Sequence, residues 1–217
     1  MQVFHNKIAK NTLDIFREHY AKHSDDPDLN EDFYLGGEIK TLMPPESSAG
    51  KEIRKICNNH FSQDAVIYAN YQRQSNPTKL HVDSNGEKDE TTHTIIIPMH
   101  TDLRIGAVIF KERFGSDQDF KRFLEHFRYE KKEKLSNISE KYDLEHTAHH
   151  WKTGDKLVDF LELDGAFEYT VGDYVLFESN QLHTSINFKG YPEYKFKDIV
   201  QIHSEGGQRR RQDQIQI

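Results

Sequence analysis

The triplet His-x-Asp occurs three times in this chain, at His23-Ser24-Asp25, His81-Val82-Asp83 and His100-Thr101-Asp102. In extended backbone, side chains two positions apart leave the same face, so an imidazole and a carboxylate so spaced can grip one cation together. Two neutral imidazoles and one carboxylate leave further coordination positions open, which is what a mononuclear Fe(II) centre needs if it is to bind small reactants. The third ligand then has to arrive from a distant strand. His183 is the candidate, because it follows the Gly172-Asp173 turn and the apolar run 174–177, a strand that ends in the short loop 179–182.

The triplets differ in their settings. His23 lies in a polar turn after a helix and reads as solvated. His100 follows Ile95-Ile96-Ile97 and could stand at a strand end. A further cluster, His146-Thr147-Ala148-His149-His150-Trp151, puts positions 146 and 150 on one face of a helix. No Glu follows its first His as in zinc proteases, so with Glu145 it is expected to shape a pocket mouth rather than hold metal. Cys57 sits among apolar residues at helical spacing and is expected in the core, and no glycine loop fit to cradle phosphate is present.

Stepping along the chain gives the elements that must position these groups. Asn11 can cap a helix with Leu13, Phe16 and Tyr20 on one face, and Ser47 or Ser48 a second with Ile53, Ile56 and Cys57. From residue 64 the pattern becomes that of strands, predicted over 64–72, 79–83, 94–99, 106–110, 157–163 with continuation to 169, 173–178, 183–188 and 194–203. About eight strands punctuated by turns suit a double-sheet jelly roll. Residues 111–152 interrupt them, with Phe120, Phe123, Leu124 and Phe127 at helical spacing behind Ser116. The expected fold is mainly β with flanking helices, in a single domain. Its parts are N-terminal packing helices (1–63), a jelly-roll core (64–205), the helical insertion (111–152) and a tail (206–217) whose Arg209-Arg210-Arg211 is expected to be solvated.

Composition narrows the function. The 217 residues carry a net charge of -7, which offers no broad basic face for nucleic acid. One cysteine excludes an internal disulfide framework, no apolar run approaches a bilayer span, and the cytoplasm is the expected compartment. Oligomeric state is not legible.

These residues resemble a known family, the 2-oxoglutarate and Fe(II)-dependent oxygenases, and within it the prolyl 4-hydroxylase-like branch. The resemblance spans residues 64–205 and rests on Tyr71, His81-Val82-Asp83, Gly172-Asp173 before a strand, His183, and a basic residue on the last core strand. It implies a double-stranded β-helix (the cupin-like jelly roll) in which the paired ligands come from the second core strand and the lone histidine from the seventh. That order selects His81, Asp83 and His183 as metal ligands over His100. It further implies that Tyr71 hydrogen-bonds 2-oxoglutarate and that a lysine pairs with its distal carboxylate. Lys197 is preferred to Lys195, since it leads directly into the apolar strand; Ile199 stands where some branches carry a serine, and Asn187 is the candidate replacement contact. The implied reaction uses O2, with ascorbate as an accessory reductant, to convert 2-oxoglutarate to succinate and CO2 while hydroxylating a peptide side chain, prolyl first, then a small molecule, and third a nucleobase. Asp83 in the ligand set favours hydroxylation over halogenation. Two other readings stay open: a non-catalytic jelly-roll binding or structural protein, and a cupin-like metalloenzyme that uses no 2-oxoglutarate.

Overall fold

The computed structural model describes residues 1–33, 38–83, 92–100, 102–127, 134–144, 157–187 and 196–205. In chain order these form β1 (Gln2–Phe4), α1 (Lys10–His23), β2 (Asn30–Phe33), β3 (Glu38–Leu42), α2 (Ser48–Cys57), β4 (Val66–Gln74) and β5 (His93–Pro98). There follow β6 (Asp102–Arg113), α3 (Asp117–His126), α4 (Ile138–Lys141), a 3-10 turn (Leu157–Phe160), β7 (Leu163–Tyr169), β8 (Tyr174–Glu178), β9 (Gln181–Ser185) and β10 (Lys197–Glu205). The larger sheet has the order β1-β8-β5-β10-β4-β3-β2 and the smaller β7-β6-β9, with every pairing antiparallel. A bridge between His81 and His183 adds the segment before Asp83 to the free side of β9. Four strands of each sheet, β8-β5-β10-β4 against β7-β6-β9 and that segment, make the double-stranded β-helix.

Strand alternation sorts the apolar residues into three cores. Ile96, Val175, Phe177 and Ile199 of the larger sheet meet Ile105, Ala107, Ile109, Phe167 and Tyr169 of the smaller between the two sheets. Their neighbours in sequence, such as Ile95, Ile97, Leu176, Val200 and Ile202, face outward onto Leu13, Phe16 and Tyr20 of α1 and Ile53 and Ile56 of α2. The outer face of the smaller sheet, with Val108, Phe110 and Leu182, is covered by Phe120, Phe127, Ile138, Leu144 and the 3-10 turn. The phenylalanine stripe of the insertion thus packs on the sheet as its spacing indicates.

Several boundaries differ from those read in the sequence. β1, β2 and β3 extend the larger sheet where only helices and loops were expected; they are three to five residues long, too short for a period-two pattern to stand out. Residues 157–160 are a 3-10 turn, and the strand begins only at Leu163. The segment 79–83 is a single bridge rather than a full strand. β6 runs on to Arg113, three residues into the stretch assigned to the insertion.

Helix ends follow local chemistry where it is available. Ser47 and Ser116 cap α2 and α3 by accepting from Gly50 N and Asp119 N. α1 starts at Ala9 instead of Asn11 and has no side-chain cap. A missing cap costs about 1 kcal/mol, whereas burying Leu13, Phe16 and Tyr20 contributes roughly 1.5–3 kcal/mol each, so packing decides where α1 forms. Gly50 lies against Pro44 and Pro45, where an added Cβ would stand 2.0 Å from Pro44 O and 2.8 Å from Pro45 Cα. Gly50→Ala is therefore expected to lower stability by about 2 kcal/mol or more, although alanine favours helix by about 1 kcal/mol. Urea denaturation checks this through the midpoint at unchanged slope; a raised midpoint would contradict the packing.

Candidate metal centre

His183 stands in the middle of β9, and His81 faces it across a mutual backbone pair in which each N–H donates to the other's carbonyl at 3.0 Å. Two residues on, Asp83 N donates to Ser179 O at 2.8 Å, which anchors the segment to the turn before β9. Alternation then divides the segment. Leu80 and Val82 enter the outer core beside Leu182, and His81, Asp83 and His183 come together on the inner side.

The ligand atoms of these three residues lie within 4.8 Å of one another. Asp83 Oδ1 is 3.4 Å from His81 Nε2, and Asp83 Oδ2 is 3.4 Å from His183 Nε2. The Nδ1 atoms point the other way, at 2.7 Å from Lys79 O for His81 and 2.9 Å from Gln181 O for His183. A carbonyl oxygen only accepts, so each Nδ1 carries the proton and each Nε2 presents its lone pair toward Asp83. Among the described residues no other three His, Cys, Asp or Glu side chains converge in this way.

Charge states agree with that geometry. Burial, reinforced by His81 nearby, depresses the His183 imidazole to about 4, so it is neutral at physiological pH. Burial works against ionising Asp83, yet His183, His81 and His203 together hold its carboxyl well below the usual carboxylate range. A neutral imidazole and an ionised carboxylate are the forms that ligate a metal. The donor set therefore fits a divalent cation such as Fe(II), with His81 and His183 supplying Nε2 and Asp83 one oxygen. Phe177 closes over His183 edge-on at 4.8 Å between ring centroids.

Lys197 opens β10 and is buried, 2% exposed. By alternation it shares its face with Ile199, which packs between the sheets, and with Gln201, whose amide reaches Asp83. Four residues of strand separate Lys197 from Gln201, roughly 13 Å, a gap that an extended lysine and a five-carbon diacid can fill together.

Tyr71 is not on this face. It pairs with Val200, packs in the outer core and stacks on Tyr20 at 4.4 Å. Strand parity is the reason: Gln72 and Gln74 point inward and Tyr71 points to the helices, so the cosubstrate contact expected of it is withdrawn. Asn187 donates to Asp143 Oδ2 at 3.2 Å, which ties it to the turn after α4. Lys195, Glu145 and the cluster His146, His149, His150 and Trp151 lie outside the described residues. His100 ends the β5 side of a bend and is not part of the cluster, and His23 faces Asp26 at 3.6 Å. Missed in the sequence were Thr94, Gln201 and His203, which adjoin Asp83. Parity counted onward from Lys197 would have found the last two.

No family model and no curated protein matches the sequence. Solved structures do share its architecture. A Pseudomonas putida prolyl-4-hydroxylase superposes with a TM-score of 0.55 at 7% identity, covering 95% of this chain and 92% of its own. The non-haem alpha-ketoglutarate-dependent carbocyclase SnoK from nogalamycin biosynthesis gives 0.54 at 10% identity over 94% and 78%. HygX from Streptomyces hygroscopicus, solved with nickel and 2-oxoglutarate bound, gives 0.54 at 9% over 94% and 81%. The chain has the fold of the 2-oxoglutarate-dependent oxygenases. No helix among its described residues is long and apolar enough to cross a membrane.

The placement of Tyr71 is directly testable. Tyr71→Phe removes only a hydroxyl from the outer core and keeps the ring stacked on Tyr20, so it is expected to change stability by about 1 kcal/mol or less and to leave 2-oxoglutarate affinity unchanged. Thermal unfolding and calorimetric titration of the cosubstrate check the two halves; a weakened cosubstrate affinity at full stability would return Tyr71 to the pocket.

Proposed function

We propose that this chain is an Fe(II)- and 2-oxoglutarate-dependent dioxygenase that hydroxylates a substrate with release of succinate and CO2. The observation that carries this reading is the convergence of His81 Nε2, Asp83 and His183 Nε2 on the inner face of the β-helix, with the buried Lys197 further along that face. The shared architecture with oxygenases solved with iron or 2-oxoglutarate supports it.

Bound Fe(II) would supply open positions for the 2-oxo acid and O2. The chain's own work is placement. His81 and His183, locked by their Nδ1 hydrogen bonds, hold their lone pairs in fixed directions. Lys197, taken out of water, gains by meeting an anion, and the distal carboxylate of 2-oxoglutarate is the anion of the right length. The substrate proposed is a peptide side chain, prolyl first, with a small molecule as the other class. The neighbouring structures include proteins named for both.

The test is consumption of 2-oxoglutarate with succinate release under Fe(II), O2 and ascorbate. His81→Ala, Asp83→Ala and His183→Ala are each expected to abolish turnover and metal binding, and His100→Ala to leave metal affinity within a few-fold. Loss of metal in His100→Ala with retention in His81→Ala would place the centre elsewhere.

Lys197→Ala is expected to raise the 2-oxoglutarate requirement by at least tenfold, since a charge-assisted contact contributes roughly 1.5–3 kcal/mol, while metal affinity stays unchanged. Initial rates across a cosubstrate series give the answer. Tight metal binding with no 2-oxoglutarate dependence at all would favour a cupin-like metalloenzyme instead.

A further inference from the structure

Three glutamines line the inner face of the larger sheet beside the candidate centre. Gln72 and Gln74 follow one another on β4, and Gln201 stands on the neighbouring β10. All three are buried, between 1% and 8% exposed. Their amides are joined end to end: Gln74 Nε2 donates to Gln72 Oε1 at 2.7 Å, Gln72 Nε2 donates to Gln201 Oε1, and Gln201 Nε2 donates to Asp83 Oδ2 at 3.3 Å. At the far end the Thr78 hydroxyl donates to Gln74 Oε1 at 3.4 Å.

The direction of this chain is set by one charge. Ionised Asp83 accepts only, so Gln201 must offer it the NH2 group and turn its oxygen to Gln72. Gln72 must then turn its own oxygen to Gln74, and Gln74 its oxygen to Thr78. Reversing any member would set oxygen against oxygen, or NH2 against NH2, in a buried row where an unmade hydrogen bond costs about 1–3 kcal/mol. A second donor reaches the same carboxylate oxygen. Thr94 Oγ1 lies 2.8 Å from Asp83 Oδ2, and it can accept in turn from Ser179 Oγ at 3.0 Å and His203 Nδ1 at 3.2 Å. Both hydrogen bonds therefore fall on Oδ2, which also lies 3.4 Å from His183 Nε2, whereas Oδ1, at 3.4 Å from His81 Nε2, receives neither of them.

We infer that Gln72, Gln74 and Gln201 form a one-way amide relay that fixes the rotation of Asp83, so that it ligates through Oδ1 alone, with Gln201 as the positioning residue at its end. The inference rests on the metal-site reading above. Its consequence is that a residue with no contact to Asp83 controls the ligand. In Gln72→Leu, Gln201 loses the partner that keeps its oxygen turned away, and Asp83 loses a fixed donor.

Anaerobic titration with Mn(II) and the visible spectrum of the Co(II)-loaded protein test this without any turnover. Gln201→Leu and Gln72→Leu are each expected to weaken Mn(II) binding by about tenfold, the lower end of what losing an outer partner of a metal ligand costs, and to alter the Co(II) bands. Should either single variant fold poorly, Gln72→Leu/Gln74→Leu/Gln201→Leu replaces the whole buried amide row by apolar groups, leaves no orphaned glutamine, and must show the same loss. Phe61→Leu, buried in the outer core, serves as a control that lowers the melting temperature without changing the Co(II) bands. Unchanged Mn(II) affinity and unchanged Co(II) bands in the folded glutamine variants would overturn the relay. Failure of the unmodified protein to bind Mn(II) or Co(II) would instead overturn the metal-site reading on which it depends.

Discussion

Two backbone hydrogen bonds between His81 and His183 hold together groups that are 102 positions apart (183 minus 81). Everything chemical in the protein depends on that pairing being in register. Because the side-chain period of extended backbone is two, a slip of one residue would carry Leu80 and Val82 into the inner face and bury His81 and Asp83 among Phe110, Phe127 and Leu182. The apolar partners thus act as the register's guard. Leu80 and Val82 have an outer core to enter only if the histidine and aspartate turn inward.

That outer core is built by the insertion. Phe120 of α3 and Phe127 at its C-terminal cap, with Ile138 and Leu144 beyond, cover the smaller sheet and complete the pocket that Leu80, Val82 and Leu182 fill. On the other side, α1 and α2 cover the larger sheet. With both outer surfaces buried under helices, the inner faces are released from being uniformly apolar. One part of the interior is closed by Ile96, Ile109, Phe167 and Tyr169, and the rest carries a glutamine row and Thr94 beside the aspartate. Such a polar interior is tolerable because its members satisfy one another; half-satisfied, it would be worse than an apolar one.

The same interior sets protonation. Removing water favours a neutral His183, and the surrounding imidazoles with their donors favour an ionised Asp83. Away from the site, burial outweighs the nearby Arg54: the Cys57 thiol is pushed up to about 12, as expected of an inert core residue rather than a nucleophile. Burial therefore disables one reactive side chain and prepares another, and the difference lies in whether the groups around it outweigh the burial.

His-x-Asp, the distant His183 and the strand pattern read from residue 64 were legible in the sequence because each is a local regularity: a spacing of two, a turn before a strand, an alternation of apolar residues. The insertion's phenylalanine stripe was legible for the same reason, since helical spacing is local. Tyr71 was misplaced because the face on which a strand residue lies is decided by what the strand pairs with, and β10 had to be set beside β4 before Gln72 and Gln74 could be seen to point inward. β1, β2 and β3 were missed because short strands take their conformation from the sheet edge they join. The residue types and their spacing thus belong to the sequence alone, and the preference for His81-Val82-Asp83 over His100-Thr101-Asp102 came from the family resemblance. Which oxygen of Asp83 is held, and by which glutamine, belongs to tertiary structure, because hydrogen bonds across sheets join residues whose separation along the chain carries no periodic trace.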